Sequence, residues 1–145
     1  MNVYGLIPNS SYQWRVLTNC LNGQQSAPSN TATFYTPTVV NCYGGSQYPT
    51  YALTPNGNWQ YQSLIWGGEY CLMNVTAGTY YTFSYCSYDG GYLVFDGEIS
   101  IRSTADQLLS YNDDVCYDAP KLIWQSNFNG QVRVLLTQYN CAAIA

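Results

Sequence analysis

Apolar and polar residues alternate over short stretches of this chain, and turn residues separate the stretches. Glu98-Ile99-Ser100-Ile101-Arg102 alternates without exception, and Thr79-Tyr80-Tyr81-Thr82-Phe83-Ser84-Tyr85-Cys86 interleaves aromatic with small polar residues over much of its length. Tyr12-Gln13-Trp14-Arg15-Val16-Leu17, Leu122-Ile123-Trp124 and Val132-Arg133-Val134-Leu135-Leu136 are further runs rich in β-forming residues. Successive side chains of a strand point to opposite faces, so a period of two marks a strand with one face buried. Asn22-Gly23, Asn56-Gly57, Gly67-Gly68, Ala77-Gly78, Gly90-Gly91 and Asn129-Gly130 punctuate the runs. No long stretch carries a helical apolar stripe without turn residues interrupting it. Short strands at this spacing predict an all-β sandwich or barrel. Asn129-Gly130, lying between two apolar runs, predicts a tight hairpin.

A boundary falls near residues 37–50. Thr36-Pro37-Thr38 closes one strand-like unit, and Cys42-Tyr43-Gly44-Gly45-Ser46-Gln47-Tyr48-Pro49 has loop chemistry. The expected division is 1–40 and 41–145. The 145 residues suffice for one compact domain plus a fragment of another.

Composition narrows the function classes. Charged residues make up 8% of the chain and aromatics 17%, the opposite of the balance that produces disorder. Solubility therefore rests on uncharged polar side chains. The net charge is −4, and the basic residues Arg15, Arg102, Lys121 and Arg133 are scattered. Nucleic acid and anionic lipid both require clustered Lys and Arg, so neither is an expected partner. The longest apolar runs fall far short of the ~20 residues that span a bilayer, so no membrane insertion is expected. There is no His, which removes Ser-His-Asp and Cys-His nucleophile systems and His-based zinc sites. Enzymes built on carboxylates alone remain open.

Six cysteines stand at Cys20, Cys42, Cys71, Cys86, Cys116 and Cys141, with no pair at CxxC spacing. An even number of widely spaced cysteines reads as disulfides formed in an oxidising compartment rather than as zinc ligation. The chain opens at Met1 without a charged-then-apolar leader, which reads as a mature piece or an internal fragment of an exported protein.

Two stretches carry family resemblances. Tyr4-Gly5-Leu6-Ile7-Pro8-Asn9-Ser10-Ser11-Tyr12-Gln13-Trp14-Arg15-Val16 resembles the corner and following strand of a fibronectin type III domain, and Ser26-Ala27-Pro28-Ser29 with Ala32-Thr33-Phe34-Tyr35-Thr36 resembles its last loop and strand. The earlier strands of such a domain are not in the chain. Two or three strands cannot bury a sandwich face alone. The segment is expected either to be a truncated module packed on a neighbour or to be completed by strands of another chain, as in a homopolymer built by strand complementation.

The second stretch runs from Gly68-Glu69-Tyr70 through Asn74-Val75-Thr76-Ala77-Gly78-Thr79, Leu109-Ser110-Tyr111-Asn112-Asp113-Asp114 and Gly130-Gln131-Val132-Arg133-Val134 to Cys141. It resembles the bacterial pre-peptidase C-terminal domain and related repeats of secreted Bacteroidetes proteins, with a looser likeness to CUB domains. The resemblance implies a jelly-roll-like antiparallel β-sandwich. Such modules stand beside catalytic domains or in adhesins exported by type IX secretion, and are not known for chemistry of their own. On this frame the expected bridges are Cys20–Cys42, Cys71–Cys141 and Cys86–Cys116.

Three groups of residues are candidates for function. Asp113 and Asp114, with Asn112, Asp118 and either Asp89 or Asp96, can offer several oxygens to a hard cation such as calcium; the alternative is a solvated turn capped by its own Asn and Asp. Glu69 and Glu98 are the two Glu residues available to a glycosidase pair, but nothing in the sequence orients them across a cleft. Tyr88 and Tyr92 flank Gly90-Gly91 and are candidates for exposed ligand contact. Asn9-Ser10-Ser11 and Asn74-Val75-Thr76 fit the N-glycosylation pattern. The expected function is an extracellular or cell-surface, non-catalytic adhesive or structural module, able to self-assemble into fibres or to contact polysaccharide. The competing expectation is an accessory carbohydrate-binding module of a secreted hydrolase.

Overall fold

A computed structural model describes residues 6, 10–21, 23–36 and 42–142. The chain divides into two compact units, Met1–Val39 and Val40–Ala145. In the first, β1 (Ser11–Trp14) pairs antiparallel with β2 (Ala32–Tyr35), and the rings of Tyr12 and Phe34 stack at 5.8 Å across the pair. The expected strand over 12–17 stops at Trp14. Beyond it the Val16 and Thr18 amides donate to the hydroxyls of Ser29 and Ser26 instead of to ladder carbonyls. The expected turn at Asn22-Gly23 and the sequon at Asn9 fall partly outside the described residues.

The second unit is an antiparallel-dominated β-sandwich. Its larger sheet has the order β3 (Ser46–Gln47), β4 (Glu69–Val75), β10 (Gly130–Gln138), β6 (Gly97–Ser103), β7 (Leu108–Asn112); the smaller has β5 (Tyr80–Ser84), β9 (Ala119–Gln125), β8 (Asp114–Cys116). Only β3, which pairs with β4, runs parallel to its neighbour. Met73, Val75, Ile99, Ile101, Val132 and Val134 project from the larger sheet onto Tyr81 and Leu122 of the smaller. Phe83, Tyr85, Trp124 and Phe128 close the edges of this core. Each large apolar side chain removed from water contributes about 1.5–3 kcal/mol, so this layer supplies most of the unit's cohesion.

The connections largely switch sheets. β4 crosses to β5 at Ala77-Gly78, and β9 crosses to β10 at Ser126–Asn129. The Asn129-Gly130 pair is therefore not a hairpin: the strands it joins lie in opposite layers. The reason lies in the intervening residues. Ser126 is buried and accepts from Phe128 N, and Phe128 packs on the core, which draws the chain over the sandwich edge. The two arches brace each other, because Gly78 N donates to Ser126 O (2.7 Å) and Ala77 N donates to Asn129 Oδ1 (2.9 Å).

β6 is buried on both faces. Ile99 and Ile101 face the core, while Glu98, Ser100 and Arg102 face outward and are covered too, with Arg102 at 2% exposure. The cover is the segment that starts at Cys42. Arg102 donates to Cys42 O, to Asp106 O and to Asp106 Oδ1, and Asp106 Oδ2 accepts from Gly44 N at 2.7 Å. Gly45 lies so close to Gly68 O that an added Cβ would stand 2.7 Å from it.

The described residues hold two disulfides. Cys86–Cys116 is present as expected. The other joins Cys42 to Cys141, and Cys20 and Cys71 are free thiols, so the expected Cys20–Cys42 and Cys71–Cys141 bridges are corrected. Cys71 belongs to the inward-facing row of β4 with Met73 and Val75, whereas Cys141 sits beside Glu98 on the outer face of the sheet, next to the strap held by Arg102. Strand alternation thus places the sulfurs of Cys71 and Cys141 on opposite faces.

Two outcomes follow for solution work. In native protein a maleimide should label Cys20 rapidly and Cys71 only on unfolding, because Cys71 is buried and its thiol is pushed up to about 11 by desolvation and by Glu69. Mass mapping that found Cys71 bridged would overturn the assignment. Arg102→Leu should lower unfolding free energy by about 3–5 kcal/mol, since it removes the buried cation from Asp106, which keeps only Gly44 N and the more distant Arg133, and takes the Arg102 donor from the Cys42 carbonyl. A loss below about 1 kcal/mol in denaturant titration would contradict the anchoring role.

Candidate metal centre

An acidic corner forms where two sheet crossings meet. The chain returns from the smaller sheet through Asp96 into β6, and leaves the larger sheet through Asp113 into β8. Gly97 N donates to Asp118 O in the β8–β9 turn, which ties the two crossings together. One carboxylate oxygen from each of Asp96, Asp113 and Asp114 lies within 4.8 Å of the others. Asp96 Oδ1 and Asp113 Oδ1 are shielded from solvent and accept no hydrogen bond. Three hard oxygens converging at this spacing are a donor set suited to calcium.

The corner continues inward to Glu98, at 1% exposure. The Tyr111 hydroxyl stands between Asp113 Oδ2 (3.2 Å) and Glu98 Oε1 (3.4 Å). A phenol has one proton and donates to one carboxylate at a time. Glu98 has three further neighbours, Asn140 N at 3.3 Å, Thr137 Oγ1 at 3.4 Å and Cys42 Sγ at 3.0 Å, but an oxidised sulfur has no proton to give. Burial raises the Glu98 carboxyl above its ordinary range, and the Asp113 charge adds to this. Burial likewise raises Asp113, with Asp114 adding to it, and raises Asp96, with Asp114 and Asp118 adding to it. The corner therefore holds more negative charge than its hydrogen bonds neutralise, and it favours either a cation or a proton.

Of the residues singled out for calcium, Asp113 and Asp114 meet here and Asp89 does not. Asp89 accepts from Ser84 Oγ at 2.6 Å and pairs with Lys121 at 2.8 Å, and the Lys121 bond, followed by that of Ser84, holds its carboxyl below the usual range. Asp96 takes its place. The two Glu residues do not form a pair: Glu69 accepts from Trp66 N at 2.8 Å, and Glu98 is enclosed. Tyr88 and Tyr92 are 67% and 81% exposed. Lys121 Nζ stands 5.1 Å over the Tyr88 ring, so one face of that ring is already covered.

A second feature has no counterpart in the sequence reading. Beside the β4–β5 arch lies an open depression of about 310 Å³, lined by Thr54, Pro55, Gly57, Asn74, Thr76, Thr79, Tyr80 and Tyr81. Its walls are fixed by hydrogen bonds. Asn74 Nδ2 donates to Thr54 Oγ1 (2.8 Å), Thr76 N donates to the Tyr81 hydroxyl (2.8 Å), and Leu53 is bonded through its backbone to both Leu72 and Asn74. The sequence places Thr54 and Tyr80 twenty-six positions apart, and the parallel bridge of Leu53 to Met73, with the Asn74–Thr54 bond, brings them together.

The raised carboxyls give the fold a pH signature. Asp96, Glu98 and Asp113 bind protons more tightly in the folded state than in the unfolded chain, so folding is favoured as pH falls from neutrality through their raised values. Asp89 and Asp106 have the opposite sign. For Asp106 burial acts upward, but Gly44 N, Arg102 and Arg133 outweigh it. The stability those two contribute is lost only below the ordinary carboxylate pKa of about 4. In the presence of a chelator, the melting temperature should therefore be higher at about pH 5 than at about pH 7, and Glu98→Gln should flatten the difference. A melting temperature that falls over this interval would refute the reading.

Among the described residues no helix is long and apolar enough to cross a membrane, and two disulfides suit a secreted or extracellular protein. No curated protein and no solved structure matches the sequence. A family model does, over residues 62–144, which is more than half of the chain and takes in both sheets from β4 to β10. The chain thus belongs to the family described as Domain of unknown function (DUF8695).

Proposed function

We propose that the chain is an extracellular, non-catalytic module that acts by contact, as an adhesive or structural element of a cell surface or fibre. The observation that carries this reading is the separation of its side chains. The two Glu carboxylates are enclosed or engaged, Glu98 beneath the strap and Glu69 on Trp66 N, while Trp59, Tyr61, Tyr80, Tyr88, Tyr92 and Tyr117 stand in solvent on a disulfide-braced scaffold. Exposed rings with polar tips are contact residues, since they offer apolar area at low entropy cost. Few charges mean little repulsion between copies.

The first unit supports self-assembly through its β-pair. It leaves Trp14 and Tyr35 more than half exposed, and a two-stranded pair gains by adding a strand from another chain. It fits the last strands of a fibronectin-like unit completed in that way. Calcium at Asp96, Asp113 and Asp114 would stiffen the corner from which the β8–β9 turn projects.

A second reading, an accessory carbohydrate-binding module, is favoured by the uncharged depression beside Tyr80. Sedimentation velocity across a concentration series, at low and high salt and with and without calcium, tests the primary reading. Self-association that persists at high salt is the expected result. A chain that stays monomeric at every concentration and bears no contact activity toward cell-wall material would overturn it.

A further inference from the structure

We propose that the depression between Thr54 and Tyr80 is a binding site for a neutral glycan, with the Tyr80 ring as its stacking platform. The inference rests on the carbohydrate-binding reading and assigns it a place.

The lining holds no charged side chain. A site for a phosphate, a carboxylate or an acidic sugar places a cation at its wall, and a site for an amine places a carboxylate there. What this wall offers is hydroxyl and aromatic surface. The hydroxyls come from Thr54, Thr76 and Thr79, and the exposed ring from Tyr80, while Tyr81 lines the floor from the core. Sugars present the complementary pair of features: a face of C–H groups and a rim of hydroxyls that both donate and accept. Tyr80, at 68% exposure, is directed outward by strand alternation, because its neighbour Tyr81 points into the core.

The walls are also set before a ligand arrives. Tyr81 is held in the core and its hydroxyl accepts from Thr76 N; Asn74 is fixed by Thr54 on one side and by Gln131 Nε2 (2.9 Å) on the other. Preorganised walls reduce the entropy lost on binding. A volume of about 310 Å³ lies at the lower end of the range for small-molecule sites, enough for one or two sugar rings, and the open side lets a longer chain continue past Tyr80. Gln125 lies directly opposite Tyr80 on β9, so the outer face of the smaller sheet extends the same uncharged surface. Tyr88 and Tyr92, by contrast, sit at the far end of that sheet, where Lys121 and Asp89 introduce charge.

Affinity electrophoresis of the full chain through gels containing β-glucan, xylan, galactomannan, alginate or no polymer tests this. Retardation by at least one of the three neutral polymers, insensitive to salt, is expected. Tyr80→Ala should weaken it about tenfold or more, Tyr80→Phe should largely retain it, and Tyr92→Ala should leave it unchanged. Tyr80 is exposed, so its removal spares the core, and an unchanged melting temperature confirms that the variant is folded. Retardation that survives Tyr80→Ala and Thr79→Ala would overturn the site while leaving the carbohydrate reading intact. Retardation by alginate alone would overturn the neutral-ligand assignment. Absence of retardation by every polymer would overturn both.

Discussion

Everything in the sandwich unit is arranged around a strand that has no solvent face. β6 presents Ile99 and Ile101 to hydrocarbon and Glu98, Ser100 and Arg102 to a strap of backbone. A guanidinium without water must be fully hydrogen-bonded or the strand cannot stay there. Arg102 answers that demand with bonds from each of its three nitrogens, to the Cys42 carbonyl and to both the carboxylate and the carbonyl of Asp106. The consequence reaches well beyond one residue. Cys42 lies at a 5.1 Å Cα separation from Cys141, so the Arg102 bond to the Cys42 carbonyl and the disulfide pin the same end of the strap. The bridge spans 99 positions, and constraint of so long a loop in the unfolded chain is worth about 4–5 kcal/mol in the chain-entropy model.

The strands themselves were legible in the sequence because period-two patterning is local. Glu98–Arg102, Val132–Leu136 and Tyr80–Ser84 all lie within observed strands. What the pattern could not convey was the identity of the second face. The polar residues of β6 alternate as solvent-facing residues would, and Glu98 and Arg102 read as surface until the strap is placed over them. The same limit explains the disulfides. Cys86–Cys116 closes a short span between elements of one region, whereas Cys42–Cys141 depends on which face the strap covers. That is set by Arg102 and Asp106, residues with no sequence proximity to Cys42. Asn129-Gly130 misled for a related reason: turn chemistry marks where a strand ends and is silent about which layer the chain enters next.

The candidate site was half legible. Asp113 and Asp114 announce themselves as an acidic pair next to Cys116, but the third carboxylate depends on where β5 returns to β6. Asp89 was the nearer to the Gly90-Gly91 turn in sequence, yet Lys121 lies directly across the β5–β9 ladder from Ser84 and captures it. Asp96 pairs with no cation among the described residues and so contributes its charge to the corner. The uncharged depression was not legible at all, because Thr54 belongs to a segment without strand patterning and reaches Tyr80 only through the backbone bonds of Leu53 to β4.

The two features share a physical logic in how charge is distributed. The unit concentrates its unneutralised carboxylates at one corner, Asp96, Asp113 and Asp114, and leaves the surface from the β4–β5 arch to the exposed row of β5 uncharged until Lys121 and Asp89, which neutralise each other. A surface with no net field neither steers nor repels an uncharged polymer, and the glycan binding proposed for it would draw on ring stacking and hydroxyl geometry, both insensitive to salt. The acidic corner behaves in the opposite way. Its raised carboxyls make its energy depend on pH, and it sits where β8 and the β8–β9 turn attach to the larger sheet. Calcium there would change the rigidity of one end of the sandwich while the contact surface keeps its chemistry. On the proposed reading, that separation would let stability respond to calcium and pH without altering the chemistry of contact.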